Sequence, residues 1–216
     1  MSQAYRLIGV NEMNRAKLIT CLVIIVVLAI TFIKPIYPHD QILQHAGTLL
    51  LMIPLVYDLK KGRMPYSAFL GLSLFTILHI IGARYIYSYV PYSEWIVSTG
   101  IVDAGFFSGN RNYYDRFVHF MFGFLLFPYI MFLCQKRLRL GDMTAILFSW
   151  LIIQTGSMIY ELFEWLLTVF MAPEDAESYN GQQGDIWDAQ KDMALALIGS
   201  TIPAVWYWCK RLFKRE

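Results

Sequence analysis

Six long hydrophobic segments divide the chain, and charged residues mark the ends of each. The segments hold runs of about 16–20 uncharged residues, and a membrane-spanning helix needs about 20 mostly apolar residues, with a range of about 17–25. Backbone groups in lipid need internal hydrogen bonds, so each segment is expected to be helical. The pattern predicts an all-α, polytopic membrane protein with about six transmembrane helices. They lie roughly at 17–34, 41–57, 66–88, 115–135, 143–171 and 188–209.

Composition agrees with this pattern and excludes several classes of protein. Of the 216 residues, 57% are hydrophobic and 16% are charged, whereas a soluble domain averages about 25% charged residues. The net charge of +2 is too small for a nucleic-acid partner. With no internal repeat or linker, we interpret 1–216 as a single integral-membrane domain whose surroundings are the lipid bilayer.

Basic residues are distributed unequally between the two sides of the predicted helices. Thirteen of the 18 Lys and Arg precede the first helix, fill the second and fourth connections, or follow the last helix. Because cytoplasmic loops carry the excess of Lys and Arg, both termini are predicted to be cytoplasmic. Residues 94–107, in a long connection on the other side, are a candidate interfacial or re-entrant segment.

Ionisable side chains within the segments gather toward the end predicted to face outward. Such side chains are costly in lipid and usually face the interior of a bundle. Asp115 and His119 have i,i+4 spacing, which allows a hydrogen bond between them. Glu161 and Glu164 lie on the same polar stripe of the fifth helix. The last helix carries Asp188 and Asp192, so three helices each offer an acidic or His-bearing face.

Two carboxylates one turn apart in a low-dielectric setting need a proton or a cation between them. A divalent metal ion is one candidate, although HEXXH and the cysteine spacings of zinc sites are absent. The candidate metal ligands are His119, Glu161, Glu164 and Asp188, with His79 as a further candidate. Organic cations are the alternative, and Arg84, Arg111 and Arg116 are placed to supply them. Asp185 and Asp188 could instead cap the last helix.

Several motifs resemble a known family. They are RNYYDRFVHF at 111–120, YELFEW at 160–165, GQQGDIWDAQKDM at 181–193 and HIIGARY at 79–85. Together they resemble the YjdF-type bacterial inner-membrane proteins, a multi-pass family without an established activity, over roughly residues 18–209. The resemblance implies a location in the bacterial inner membrane. A shorter similarity to VanZ-like membrane proteins involves Asp115, Arg116 and His119, a later helical Glu, and Asp188 with Asp192; it implies a role in the cell envelope.

The leading hypothesis is an enzyme that acts on an amphiphilic or lipid-linked envelope substrate, such as a lipid headgroup. In it, His119, oriented by Asp115, is a general base or metal ligand. Glu161 and Glu164 form an acid/base pair or cation site, which Asp188 and Asp192 complete. The candidate substrate ligands are Arg84, Arg111, Arg116, Gln183 and Asp185. One alternative is a non-enzymatic binding or envelope-stress protein whose buried charges fix helix packing. Another is a proton- or cation-coupled transporter.

Overall fold

The computed structural model describes residues 3–107, 109, 111–170 and 181–213. Within these residues the fold is all-helical, and the membrane protein class predicted from the hydrophobic pattern is confirmed. A 3₁₀ turn at Ala104–Phe107 follows the shortest helix. The α-helices in the described ranges are α1 (Gln3–Thr31), α2 (Pro38–Lys61), α3 (Tyr66–Arg84), α4 (Tyr92–Ser98), α5 (Tyr114–Lys136), α6 (Asp142–Phe170) and α7 (Asp188–Leu212).

Several helix ends differ from the prediction because charge does not determine where a helix stops. The first helix begins far upstream of residue 17 and ends at Thr31. The third ends at Arg84, not at 88, because Ile86 and Tyr87 adopt φ angles of 43° and 55°. Left-handed backbone cannot continue a right-handed helix. The predicted last residue of the fifth helix, 171, lies outside the described residues.

The helices form two groups of three. In the first, α3 contacts both α1 and α2, and in the second α5, α6 and α7 all contact one another. The principal contact between the groups is α3 against α5. At this contact Gly71 meets the backbone carbonyl of Leu125, where a Cβ would leave too little room. The short helix α4 contributes no buried side chain, and the membrane position predicted for 94–107 stays a prediction.

Two glycines allow α5 and α7 to approach very closely. A Cβ on Gly123 would strike the backbone of Ala196, and a Cβ on Gly199 would strike the backbone of Phe120. Small residues permit this kind of packing between membrane helices. The two helices run parallel, since Asp188 lies near Arg111 at one end, and the ring centroids of Phe127 and Tyr207 lie 5.9 Å apart toward the other.

Five helices in the described part of the chain, α1, α2, α3, α5 and α6, are long and apolar enough to cross a membrane. The last helix, α7, has 25 residues but carries charges near both of its ends. It nevertheless packs along α5 and α6 between their two ends. Three expectations stay predictions: that α7 is a sixth membrane span, that both termini are cytoplasmic, and that the chain is a single domain.

Candidate functional site

The segment before α7 is tied to the start of α5 by ion pairs. Arg111 Nη2 lies 2.6 Å from Asp115 Oδ2 and 2.5 Å from Asp188 Oδ1. Its other terminal nitrogen donates to the backbone carbonyl of Gln182. All three charged side chains are nearly buried. The guanidinium therefore balances charge on two of the predicted catalytic carboxylates and joins α5 to α7.

A second arginine reinforces the same junction. Arg116 pairs with Asp185 and lies 3.4 Å from Asp188 Oδ1. Lys191 Nζ lies 2.6 Å from the same carboxylate of Asp185. The hydrogen bond from Lys191, followed by those from the Trp187 N–H and from Arg116, holds the pKa of Asp185 well below its usual range. Asp185 precedes the helix, and its Oδ1 accepts the Trp187 N–H at 3.0 Å.

Gln183 makes a paired contact with the backbone of Asn112. Its Oε1 accepts the Asn112 N–H at 2.8 Å, and its Nε2 donates to the Asn112 carbonyl at 3.0 Å. Asn112 in turn donates to the carbonyl of Val90 at 2.8 Å. Gln183 has a φ of 51°, a backbone conformation that a non-glycine residue adopts at some energetic cost. Its amide thus has a positioning role here, and its predicted role in substrate binding stays a prediction.

His119, Glu161 and Asp192 come together from three different helices. His119 Nε2 lies 3.5 Å from Glu161 Oε1 and 4.0 Å from Asp192 Oδ2. One ligand atom from each residue falls within 4.8 Å of the others. The expected hydrogen bond between His119 and the Asp115 carboxylate is not found among the described residues. Arg111 and the Arg116 N–H take up the Asp115 carboxylate instead, because they offer stronger or closer donors.

Two carboxylates in this group each have an oxygen that receives no hydrogen bond. Glu161 Oε1 and Asp192 Oδ1 are buried, and neither has a hydrogen-bond partner in the described residues. Asp115, Asp188 and Asp192 form a second group of ligand atoms within 4.8 Å of one another. Buried carboxylate oxygens without a donor are costly. The arrangement can accept a cation beside His119, where no lysine or arginine among the described residues makes an ion pair.

A cavity of about 360 Å³ opens beside these side chains, and we refer to it as the acidic cavity. His119, Asp192 and Glu164 are among the polar side chains that line it, and Glu161 lies 3.5 Å from His119 without lining the cavity itself. Apolar side chains from α2, α3 and α5 also line it. Leu50, which lines the cavity, is 68% exposed, so the cavity reaches the outer face of the helix bundle.

The remaining predicted site residues lie apart from this group. His79 lines the acidic cavity, but Nε2 lies 3.0 Å from the Gln44 carbonyl and Nδ1 contacts the Tyr87 hydroxyl. Arg84 donates to the carbonyls of Thr31 and Ile33, where it fixes the end of α1. Their predicted roles as metal and substrate ligands stay predictions.

Sequence reasoning missed several residues that complete the site. Tyr160 lines the acidic cavity, hydrogen-bonds Glu164 and lies beside His119, with ring centroids 5.8 Å apart and the rings tilted by 60°. Its i,i+4 spacing to Glu164 was an available signal. Asn112 was also missed, and only its position beside Arg111 in a conspicuously polar motif could have indicated it.

This arrangement can be compared with known proteins. The family model described as "Predicted membrane protein (DUF2238)" matches residues 16–212. The chain belongs to this family. It is also 27% identical over 187 residues to Inner membrane protein YjdF of Escherichia coli (strain K12), which covers 81% of this chain and 83% of that protein. No solved structure matches the chain.

Family membership confirms the resemblance to the YjdF-type proteins that the 111–120, 160–165 and 181–193 motifs indicated. The chain is a multi-pass membrane protein, as its helices also indicate. The shorter similarity to VanZ-like proteins stays a prediction. The matched region includes both the ion-paired junction and the His119 group.

Proposed function

We propose that the chain is a cation-dependent membrane enzyme that acts on the polar headgroup of an amphiphilic substrate. The observation that carries the proposal is the convergence of His119 with two buried carboxylates, each of which retains an oxygen without a donor. One imidazole and two carboxylates suit Zn²⁺, Mn²⁺ or Fe²⁺. We place the protein in the bacterial inner membrane, as the name of its relative suggests.

The charges around the acidic cavity support a bound cation. Arg111 and Arg116 are committed to Asp115, Asp185 and Asp188. Of the other carboxylates at the acidic cavity, Glu161 and Asp192 face His119. A divalent ion between them would balance this charge and supply a Lewis acid to the adjoining cavity.

The shape of the acidic cavity supports an amphiphilic substrate. One side is polar, while Leu50 and Phe75 are among the apolar side chains opposite. The exposed position of Leu50 gives a lateral route from the surrounding lipid. A headgroup can then reach His119 while its acyl chains stay in the bilayer.

Metal binding by the purified full chain tests the first half of the proposal. We expect metal analysis to detect a divalent ion, and titration of stripped protein with Mn²⁺ to show one site. Glu161→Gln and Asp192→Asn should each weaken this site by more than about 10-fold, since even indirect ligand contacts contribute 10–100-fold. Glu94→Gln removes an exposed carboxylate on α4 and is the matched control. Equal affinity in all four proteins would contradict a metal site.

Incubation with a bacterial envelope lipid extract tests the second half. Wild-type protein should convert a lipid species with turnover, detected by mass spectrometry, and Glu161→Gln should not. Binding of a lipid without conversion would favour the alternative in which the polar groups serve recognition or packing. That alternative rests on the buried ion pairs of Arg111 with Asp115 and Asp188.

A further inference from the structure

A second and larger cavity lies at the opposite end of α5 from His119. It has a volume of about 630 Å³ and lies between α2, the connection from α2 to α3, and the end of α5. We refer to it as the basic cavity. His119 and Lys136, which each line one of the two cavities, lie about 25 Å apart along α5 at 1.5 Å per residue, and the cavities share no lining residue. The basic cavity is therefore separate from the acidic cavity and from the function proposed above.

Three exposed cations line the basic cavity, namely Arg63, Lys136 and Arg137. Among the described residues, none of the three has a carboxylate within ion-pair distance. Asp58 is the acidic residue of the lining, and its charge is already balanced. Its Oδ2 lies 2.6 Å from the buried ammonium of Lys17, while Oδ1 accepts two backbone N–H groups.

One of these cations is held in place at the opening. Arg137 donates to the Tyr57 hydroxyl at 3.2 Å, and its guanidinium lies 5.8 Å from the centroid of the Tyr57 ring. Among the described residues its guanidinium has no other hydrogen-bond partner, so its remaining N–H donors are available to a ligand. Such a group is suited to bidentate contact with phosphate oxygens.

The rest of the wall is apolar and adjoins the outer surface of the bundle. Phe132 and Leu133 come from α5, and Ile53 and Pro54 come from α2. Ile53 is 63% exposed and lies on a helix apolar enough to cross a membrane. An occupant must therefore combine a negative charge at the helix ends with apolar chains along the helices.

We propose that the basic cavity is a binding site for an anionic phospholipid, whose phosphate meets Lys136, Arg137 and Arg63 while an acyl chain lies against Ile53. Charge complementarity favours this occupant, because basic pockets between membrane helices recognise anionic headgroups. A volume of about 630 Å³ also lies within the usual range of about 300–1,000 Å³ for ligand sites. A soluble phosphate compound would leave the apolar wall without a partner.

Native mass spectrometry of the purified full chain in detergent tests this assignment. The probes are dioleoyl phosphatidylglycerol, dioleoyl phosphatidylcholine and glycerol 3-phosphate. We expect one phosphatidylglycerol molecule to bind more tightly than either of the others. Lys136→Gln/Arg137→Gln should weaken it about 25-fold, at about fivefold for each cation. The charge-matched control Lys60→Gln/Arg139→Gln alters exposed cations outside the cavity and should change affinity by less than about twofold.

A second pair of variants leaves the charges unchanged and tests the proposal even if the charge variants fail to fold. Ile53→Trp places a larger ring in the opening, whereas Leu49→Trp alters a similarly exposed position one turn away that lines neither cavity. We expect loss of phosphatidylglycerol binding only for Ile53→Trp. Equal loss in both double variants, equal binding of phosphatidylcholine, or equally tight binding of glycerol 3-phosphate would overturn the proposal.

Discussion

The buried ion pair between Lys17 and Asp58 is predicted to be a main determinant of stability at the end of the helix bundle that holds the basic cavity. Lys17 is completely buried and donates at 2.6 Å both to Asp58 Oδ2 and to the Met64 carbonyl. Asp58 also accepts the Arg63 and Met64 N–H groups, at 2.9 and 2.8 Å. The pair therefore joins α1 to the connection between α2 and α3.

The two single substitutions should lower the free energy of unfolding by different amounts. Asp58→Asn leaves a buried ammonium whose main counter-charge is gone, a change that costs about 3–5 kcal/mol. Lys17→Met should cost less, about 1.5–3 kcal/mol for hydrogen bonds to a charged group. The reason is that the Asp58 carboxylate keeps two backbone donors.

Equilibrium unfolding of purified protein, followed by circular dichroism in mixed detergent, measures these differences. In the Lys17→Met background, Asp58→Asn should cost less than it does alone, because no ammonium remains to be stranded. Lys60→Gln, an exposed change on the same helix, should stay within about 0.5 kcal/mol of wild type. If the two changes are additive, the interpretation of Lys17 and Asp58 as a coupled buried pair is refuted.

Three further predictions follow from other parts of the molecule. Gly199→Ala should lower the free energy of unfolding by about 1–3 kcal/mol, because its Cβ would meet backbone. Gly156→Ala should be nearly neutral, since only the tip of a Phe ring lies nearby; equal losses would contradict the close α5–α7 contact. Because its pKa is lowered in the folded protein, the ionised Asp185 carboxylate stabilises the fold above about pH 3.9. This contribution to stability is lost as the pH falls through the pKa of the folded state. The difference in thermal stability between wild type and Asp185→Asn should therefore shrink below about pH 3.9, and a constant difference would contradict the bonding to Lys191. A reporter active only in the periplasm should be inactive when fused after Glu216, and activity there would overturn the predicted orientation.

Hydrophobic runs were sufficient to predict the fold class because lipid leaves the backbone few alternatives to helix. They were poorer at predicting helix ends, which depend on local dihedral angles such as those of Ile86 and Tyr87. The polar stripe predicted on the fifth hydrophobic helix, which is α6 and whose spacing also includes Gln154 and Thr168, is only partly directed at the site. Glu161 faces His119, whereas Gln154 hydrogen-bonds Ser200 and Thr168 bonds back to its own helix.

The sequence also could not predict which side chains form ion pairs or hydrogen bonds with each other. The spacing of Asp115 and His119 was compatible with a hydrogen bond, but Arg111 has the same i,i+4 spacing to Asp115 and a charged donor. Whether Arg111 or His119 bonds the Asp115 carboxylate depends on how the connection before α5 folds. Contacts with Gln183 fix that connection. Periodicity within one helix carries no information about such contacts.

The acidic cavity is walled by side chains from both groups of three helices, so its width depends on how one group rests on the other. That relation is set chiefly at the contact of α3 with α5, where Gly71 meets the backbone of Leu125. A slight roll about this point would leave the packing within each group intact and would widen or narrow the entrance beside Leu50. If the proposed amphiphilic substrate enters beside Leu50, its admission would therefore depend on the packing of α3 against α5.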